Sequence, residues 1–173
     1  MNTPFKILVV DDDQRILNSI IRLFEYDDIE VITIRNPHYA LERIKSENVK
    51  VCVSDYLMPG YSGLELLNLI KEKYPHIIRI LITAYPNLNM AVDSINEGFV
   101  DKFIIKPWDP EDFRNLILAT RDNYESIIGK QEIKSDFKTK RNKRKINEIE
   151  IKDDGVTLED FLKKNYGFRE ERN

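Results

Sequence analysis

Val49-Lys50-Val51-Cys52-Val53-Ser54-Asp55-Tyr56-Leu57-Met58-Pro59-Gly60 is the stretch on which the fold turns. Its first six residues are mostly apolar and β-rich, and its last two, Pro59 and Gly60, are turn formers. A short apolar run that stops at Pro and Gly reads as a buried strand. Asp55 therefore stands at the carboxyl end of a strand, where open α/β sheets keep their sites. A second acidic cluster, Asp11-Asp12-Asp13, follows the apolar run Ile7-Leu8-Val9-Val10. Carboxylates at two strand ends suggest one acidic pocket, which would repel itself unless a cation sat in it.

Outward from this stretch, strand-like and helix-like periods alternate through residue 128. Phe5 to Val10 is the first strand, and Asp13 caps a helix carrying Ile16, Leu17, Ile20, Ile21 and Phe24 at helical spacing. Ile29 to Ile34 is the second strand. Asn36-Pro37 then forms a cap and first turn, with Tyr39, Ala40, Leu41 and Ile44 on the apolar face. Val49 to Ser54 is the third strand. Ser62-Gly63 opens a helix bearing Leu64, Leu66, Leu67 and Ile70, which must stop before Pro75. Ile77 to Thr83 is the fourth strand. Pro86 and Asn87 break it, and a helix with Met90, Ala91, Val92 and Ile95 ends near Gly98. Phe103 to Ile105 is a short fifth strand. Asp109-Pro110 starts a last helix, with Phe113, Leu116, Ile117 and Tyr124 in register. Five βα units with right-handed crossovers demand a parallel sheet between layers of helices.

The totals agree with one α/β domain and an appendage. The chain has 173 residues, 42% hydrophobic and 33% charged, enough for a core and a wet surface. No apolar run approaches the ~20 residues that span a bilayer. Met1 to Lys6 runs into the first strand without signal-peptide anatomy, so a cytoplasmic protein is expected. The single Cys52 excludes an internal disulfide framework and reads as a small buried hydrophobe. His38 and His76 are isolated, which leaves no zinc site, and no glycine-rich phosphate loop is present. The net charge of −3 hides an asymmetry: residues 130–173 balance at +3 and the first 129 at −6.

With these marks in place, the chain resembles the receiver domain of bacterial two-component response regulators over about residues 4–125. The resemblance rests on Asp11-Asp12 after the first strand, Asp55 after the third, Met58-Pro59-Gly60 beyond it, Thr83-Ala84 after the fourth and Lys106-Pro107 after the fifth. It implies a flavodoxin-like five-stranded parallel sheet of order 2-1-3-4-5, and a receiver domain over 1–128. It also implies that a histidine kinase or phosphotransfer protein phosphorylates Asp55 with Mg2+ as cofactor. Asp12, Asp55 and the Leu57 backbone carbonyl would ligate the metal, and Asp11 would act mainly through water. Lys106 would meet Asp55 or the phosphoryl group, with a cis bond before Pro107. The Thr83 hydroxyl would bond a phosphoryl oxygen, and Ala84 would leave room for it.

The residue chemistry points the same way. A carboxylate is a poor nucleophile toward a phosphorus centre that already carries negative charge, and a divalent cation relieves the repulsion. Mg2+ takes oxygen ligands. Phosphorylation adds roughly −1.5 to −2 charge and three acceptor oxygens, which would draw Thr83 and Lys106 inward. Phe103 would fill the space Thr83 vacates. Many family members have Tyr there, and Phe lacks the hydroxyl, so this part of the switch would rest on packing alone. The output face would run over Asn87 to Gly98 and Phe103 to Tyr124, with a homodimer through it possible by resemblance.

Each mark has a plainer reading when taken singly. The acidic run is also a turn and cap, Asp55 a turn residue, Thr83 a strand end, Lys106 a surface lysine and Phe103 a core aromatic. Tyr56 and Tyr85 read as loop residues bordering the site, and Trp108 as a plug at a helix start. The tail, 129–173, reads as a basic linker, Lys138 to Lys145, followed by a short helix from Thr157 bearing Leu158, Phe161, Leu162 and Tyr166. It holds no recognisable output domain, so signalling is expected through contact with an unidentified downstream protein, without membrane association. The alternatives are a nucleic-acid binder using 138–145, a phosphorelay intermediate, and a scaffold with vestigial chemistry. None of these is an enzyme in the usual sense.

Overall fold

The computed structural model describes residues 4–84 and 98–130. Its strands are β1 (Phe5–Val10), β2 (Ile29–Ile34), β3 (Val49–Asp55), β4 (Leu57–Met58), β5 (Tyr61–Ser62), β6 (Ile78–Thr83) and β7 (Lys102–Ile105). Its helices are α1 (Gln14–Leu23), α2 (Ala40–Ser46), α3 (Gly63–Lys73) and α4 (Pro110–Asp122). Five strands make one sheet in the order β2-β1-β3-β6-β7, every pair parallel. This is the flavodoxin-like order expected from the sequence. Contacts within the chain fall into two groups, Met1–Ile128 and Gly129–Asn173, and the sheet with its helices belongs to the first.

Strand periodicity sorts the core. Successive side chains point to opposite faces, so Ile7, Val9, Val51, Val53, Ile80 and Ile82 face one layer. There they meet Leu17, Ile20 and Phe24 of the α1 segment and Phe113 and Ile117 of α4. Leu8, Val10, Cys52 and Leu81 face the other layer and meet Ala40 and Ile44 of α2 and Leu66, Leu67 and Ile70 of α3. Burial on both faces is why β1, β3 and β6 are nearly continuous apolar runs. Each fully buried Ile, Leu or Phe contributes about 1.5–3 kcal/mol.

Local signals set the helix ends. The Asp13 side chain accepts from Arg15 N at α1, and Asp109 accepts from Glu111 N and Asp112 N at α4, with Pro110 in the first turn. Ser62 N donates to Glu65 Oε2 at 3.3 Å where α3 begins. Asn36 caps a 3₁₀ turn, Pro37–Tyr39, which precedes α2. α3 ends at Lys73, ahead of Pro75 as expected.

The structure departs from the sequence reading in four places. Leu57 to Ser62 is not a plain turn: β4 and β5 pair antiparallel around Pro59-Gly60, and Gly60 takes the left-handed φ of 71° that this tight reversal needs. Ile21 and Tyr39, expected on apolar faces, are 43% and 59% exposed. A 100° step carries Ile21 off the stripe of Leu17, Ile20 and Phe24, and the 3₁₀ turn rotates Tyr39 outward. The last helix, expected to run unbroken through Tyr124, breaks at Asn123, and the chain is helical again over 124–130. β6 carries a buried arginine, Arg79, that its apolar pattern conceals.

The helix expected over 87–98, with Tyr85, lies outside the described residues except for Gly98, whose φ is 74°. The basic run 138–145 and the helix from Thr157 also lie outside them. Among the described residues no helix is long and apolar enough to cross a membrane.

Candidate functional site

Parallel strands bring their carboxyl ends to one edge, and that edge holds a pocket of about 310 Å³. It is lined by Asp11, Asp12, Asp13, Asp55, Tyr56, Leu57, Thr83, Ala84 and Lys106. The sheet thus gathers into one pocket the acidic pair, Asp55, Leu57, Thr83 and Lys106, which are up to 95 residues apart in sequence. Phe103 is not among the lining residues. It is half-buried and packs against the layer that contains Leu81.

Asp11 is 2% exposed. Its backbone N–H donates to Ile34 O at 3.2 Å, which ties it to β2. Its Oδ1 accepts from Asp13 N at 2.8 Å and its Oδ2 from Lys106 Nζ at 3.0 Å. Asp12 holds its backbone carbonyl under Arg35 Nε at 3.2 Å. Asp13 pairs with Arg15 at 2.7 Å, and that guanidinium holds its carboxyl down to about 2. The third member of the acidic run is therefore spent on its neighbour and on capping α1.

Asp55 ends β3, opposite Ile82 of β6. Its Oδ2 accepts from Leu57 N at 3.1 Å, and its Oδ1 lies 2.6 Å from Lys106 Nζ. Tyr56 N donates to Ile82 O at 2.8 Å and the Ser54 hydroxyl donates to Asp55 O at 3.0 Å, so the main chain around the carboxylate is pinned on both sides. The Leu57 side chain points away from the core, 56% exposed. Thr83 is buried at the end of β6 and its carbonyl accepts from Lys106 N at 2.8 Å. A cis peptide bond joins Lys106 to Pro107.

Burial pushes the Asp11 carboxyl above the usual carboxylate range, and the Asp13 N–H and Lys106 only partly offset it. Burial pulls Lys106 down, but the hydrogen bonds it donates to Asp55 and then Asp11 outweigh this, and the ammonium holds its proton more tightly than a free lysine's. The ammonium also lies over the Trp108 ring, 6.0 Å from its centre.

The acidic donors of the pocket are oxygens, and neither His nor Cys lines it. Such a set suits a hard divalent cation rather than zinc or a soft metal. The Lys106 ammonium takes the gap between Asp11 and Asp55, and among the described residues no three His, Cys, Asp or Glu side chains converge as a ready cage. The arrangement concentrates negative charge, a cation and a buried hydroxyl around one carboxylate, which is the chemistry needed to receive an anionic group.

Three supporting residues escaped the sequence reading. Arg35 and Ser54 act through main-chain atoms, and no motif marks such contacts. Arg79 is 4% exposed and pairs with Asp101 at 2.9 Å, and it also donates to the Ile77 and Phe99 carbonyls. The only signal was an arginine inside an apolar strand with an aspartate 22 residues on.

The family model for the response regulator receiver domain matches residues 7–118. The transcriptional regulatory protein FlgR of Helicobacter pylori is 38% identical over 117 residues, covering 67% of this chain and 29% of that protein. The DNA-binding transcriptional regulator NtrC of Escherichia coli K12 is 32% identical over 119 residues, covering 69% and 25%. Among solved structures, a CheY-like response regulator receiver domain protein from Methanospirillum hungatei JF-1 superposes with a TM-score of 0.66 at 32% identity, covering 71% of this chain and 98% of that one. A beryllofluoride-activated NtrC4 receiver domain dimer gives 0.64 at 30% identity, covering 69% and 98%. The chain spans between 22% and 32% of the length of these and similar curated relatives.

Proposed function

Because this chain belongs to the response regulator receiver family, a family of phosphorylation switches rather than turnover enzymes, we propose that Asp55 is its phosphoacceptor, assisted by Lys106 and Thr83, with Thr83 and Phe103 its switch residues. A carboxylate oxygen of Asp55 attacks phosphorus, and the bond from phosphorus to the donor's imidazole nitrogen breaks. The imidazole keeps the electron pair. The product is an acyl phosphate.

The observation that carries this reading is the 2.6 Å approach of Lys106 to Asp55 inside an acidic pocket. The ammonium holds the carboxylate in place and offsets charge as phosphoryl oxygens arrive. Thr83, at the adjoining strand end, supplies a hydroxyl to one of those oxygens. Asp11, Asp12, Asp55 and the Leu57 carbonyl would hold Mg2+, which when bound offsets the repulsion between the carboxylate and the incoming phosphoryl group.

The register supports a packing switch. Leu81 pairs with Phe103 and Thr83 with Ile105, so Thr83 and Phe103 share one face of the sheet. Inward movement of Thr83 opens space toward Phe103. The phosphoryl donor is a histidine kinase or phosphotransfer protein, and the output is a protein contact or a receiver dimer of the kind named for the NtrC4 neighbour. The receiver occupies 1–128, and 129–173 is a basic tail.

The test is intact-protein mass after incubation with acetyl phosphate, with and without Mg2+, beside Asp55→Asn. One Mg2+-dependent phosphoryl adduct that the variant lacks supports the assignment. An adduct of equal yield in Asp55→Asn removes it.

A further inference from the structure

Gly63 opens α3 and lies directly on the main chain of Asp55. A Cβ built at this position would overlap the Asp55 carbonyl oxygen outright and would stand 2.7 Å from Ser54 Oγ and 2.8 Å from the Asp55 carbonyl carbon. No rotamer change relieves a clash with backbone atoms, so the strand or the helix has to move. Neither is loose. Asp55 is paired to Ile82 in β6, and Tyr56 N is bonded to Ile82 O. Gly63 N donates to Tyr56 O at 2.8 Å, and Leu66, Leu67 and Ile70 of α3 are fully buried.

Conformational freedom does not explain this glycine. The glycines with positive φ among the described residues are Gly60 and Gly98. Gly63 has a backbone that any residue adopts, and it is a poor helix former placed in a helix. Space is what the position requires.

We propose that Gly63 is a positioning residue for phosphotransfer: its missing side chain lets α3 seat on the Asp55 main chain, and that seat fixes the carboxylate relative to Lys106 and the pocket. This rests on the reading of Asp55 as phosphoacceptor. Asp55 Oδ2 is also held by Leu57 N, and the Lys106 contact is short, so a main-chain displacement passes to both. Misplacement of reacting atoms by about 1 Å costs on the order of 100-fold in rate.

The test follows acyl-phosphate formation from acetyl phosphate and Mg2+ in the full chain, comparing wild type, Gly63→Ala, Gly63→Ala with Ser54→Ala, and Ile70→Val. Gly63→Ala should lower the rate by roughly 10- to 100-fold, and its Leu57 amide proton resonance should shift. Ile70→Val, a packing loss in the same helix, should lower thermal stability while keeping the rate and the Leu57 resonance. Ser54→Ala removes the hydroxyl that the new methyl meets but not the carbonyl, so the double variant should stay slow. A wild-type rate in Gly63→Ala, or full recovery in the double variant, overturns the proposal. If Gly63→Ala does not fold, hydrogen exchange of the wild-type Gly63 amide decides: protection matching Tyr56 supports the seat, and exchange like a frayed helix end overturns it. A wild-type protein that takes no phosphoryl group sinks the phosphoacceptor reading instead, and the exchange measurement still judges the seat.

Discussion

Lys106 reaches past the end of β6 to place its ammonium 2.6 Å from the Asp55 carboxylate, although β6 separates their two strands. The same nitrogen lies 3.0 Å from Asp11. One cation thus joins three of the five strand ends, and the electrostatics of the pocket turn on it.

Replacing Lys106 with Gln should lower stability near neutral pH by about 1.5–3 kcal/mol, the range for a hydrogen bond to a charged group. The sign with pH follows from the shift. The folded protein holds the Lys106 proton more tightly than the unfolded chain does. Its contribution is therefore fully present below 10.5 and is lost as pH rises through the elevated folded value. Urea midpoints of wild type and variant should differ at pH 8, and the difference should shrink as pH rises beyond 10.5. Asp11 works in the same pH sense at a lower range: burial raises its carboxyl, so ionisation costs the fold, and the cost is relieved as pH falls toward 3.8.

Arg79 is buried and pairs at 2.9 Å with the half-buried Asp101, which also accepts from Arg79 N. Asp101→Asn leaves the buried guanidinium with a neutral partner and should cost about 1.5–3 kcal/mol, the range for a hydrogen bond to a charged group. Chemical denaturation measures it. A change under 1 kcal/mol would show that the guanidinium reaches water.

Cys52 is fully buried in β3, and burial drives its thiol up to about 12. At pH 8 a disulfide reagent should modify the native protein more slowly than the urea-unfolded chain by a factor of at least ~1,000, since modification waits on opening of a core strand. Fast labelling of the native protein would place Cys52 outside the core.

Trp108 is the chain's single tryptophan, and its ring faces the Lys106 ammonium and packs at 5.8 Å on Phe113. When Lys106 turns to a phosphoryl oxygen, the charge over the ring moves. Acetyl phosphate with Mg2+ should change the Trp108 emission of wild type and leave that of Asp55→Asn unchanged. Equal change in both would detach the ring from the site.

The sequence by itself determined the alternation of strands and helices and the carboxylates at two strand ends, features that live in short-range signals: apolar periodicity, capping residues, and polar residues just past strand ends. The strand order and the set Asp11, Asp12, Asp55, Leu57, Thr83 and Lys106, which lines one pocket, came from the resemblance to receiver domains. Phe103 was legible as a strand residue but not as a lining residue, because facing depends on register against Leu81 and Thr83. Only the tertiary structure decided which carboxylate oxygens Lys106 bridges, that Asp13 is drawn away by Arg15, that Arg79 is buried against Asp101, and that Gly63 is empty so that α3 can rest on Asp55. These are contacts between main chain and side chains distant in sequence. Their energy comes from exclusion of water and from overlap forbidden at a single point in space, and neither leaves a periodic trace in the chain.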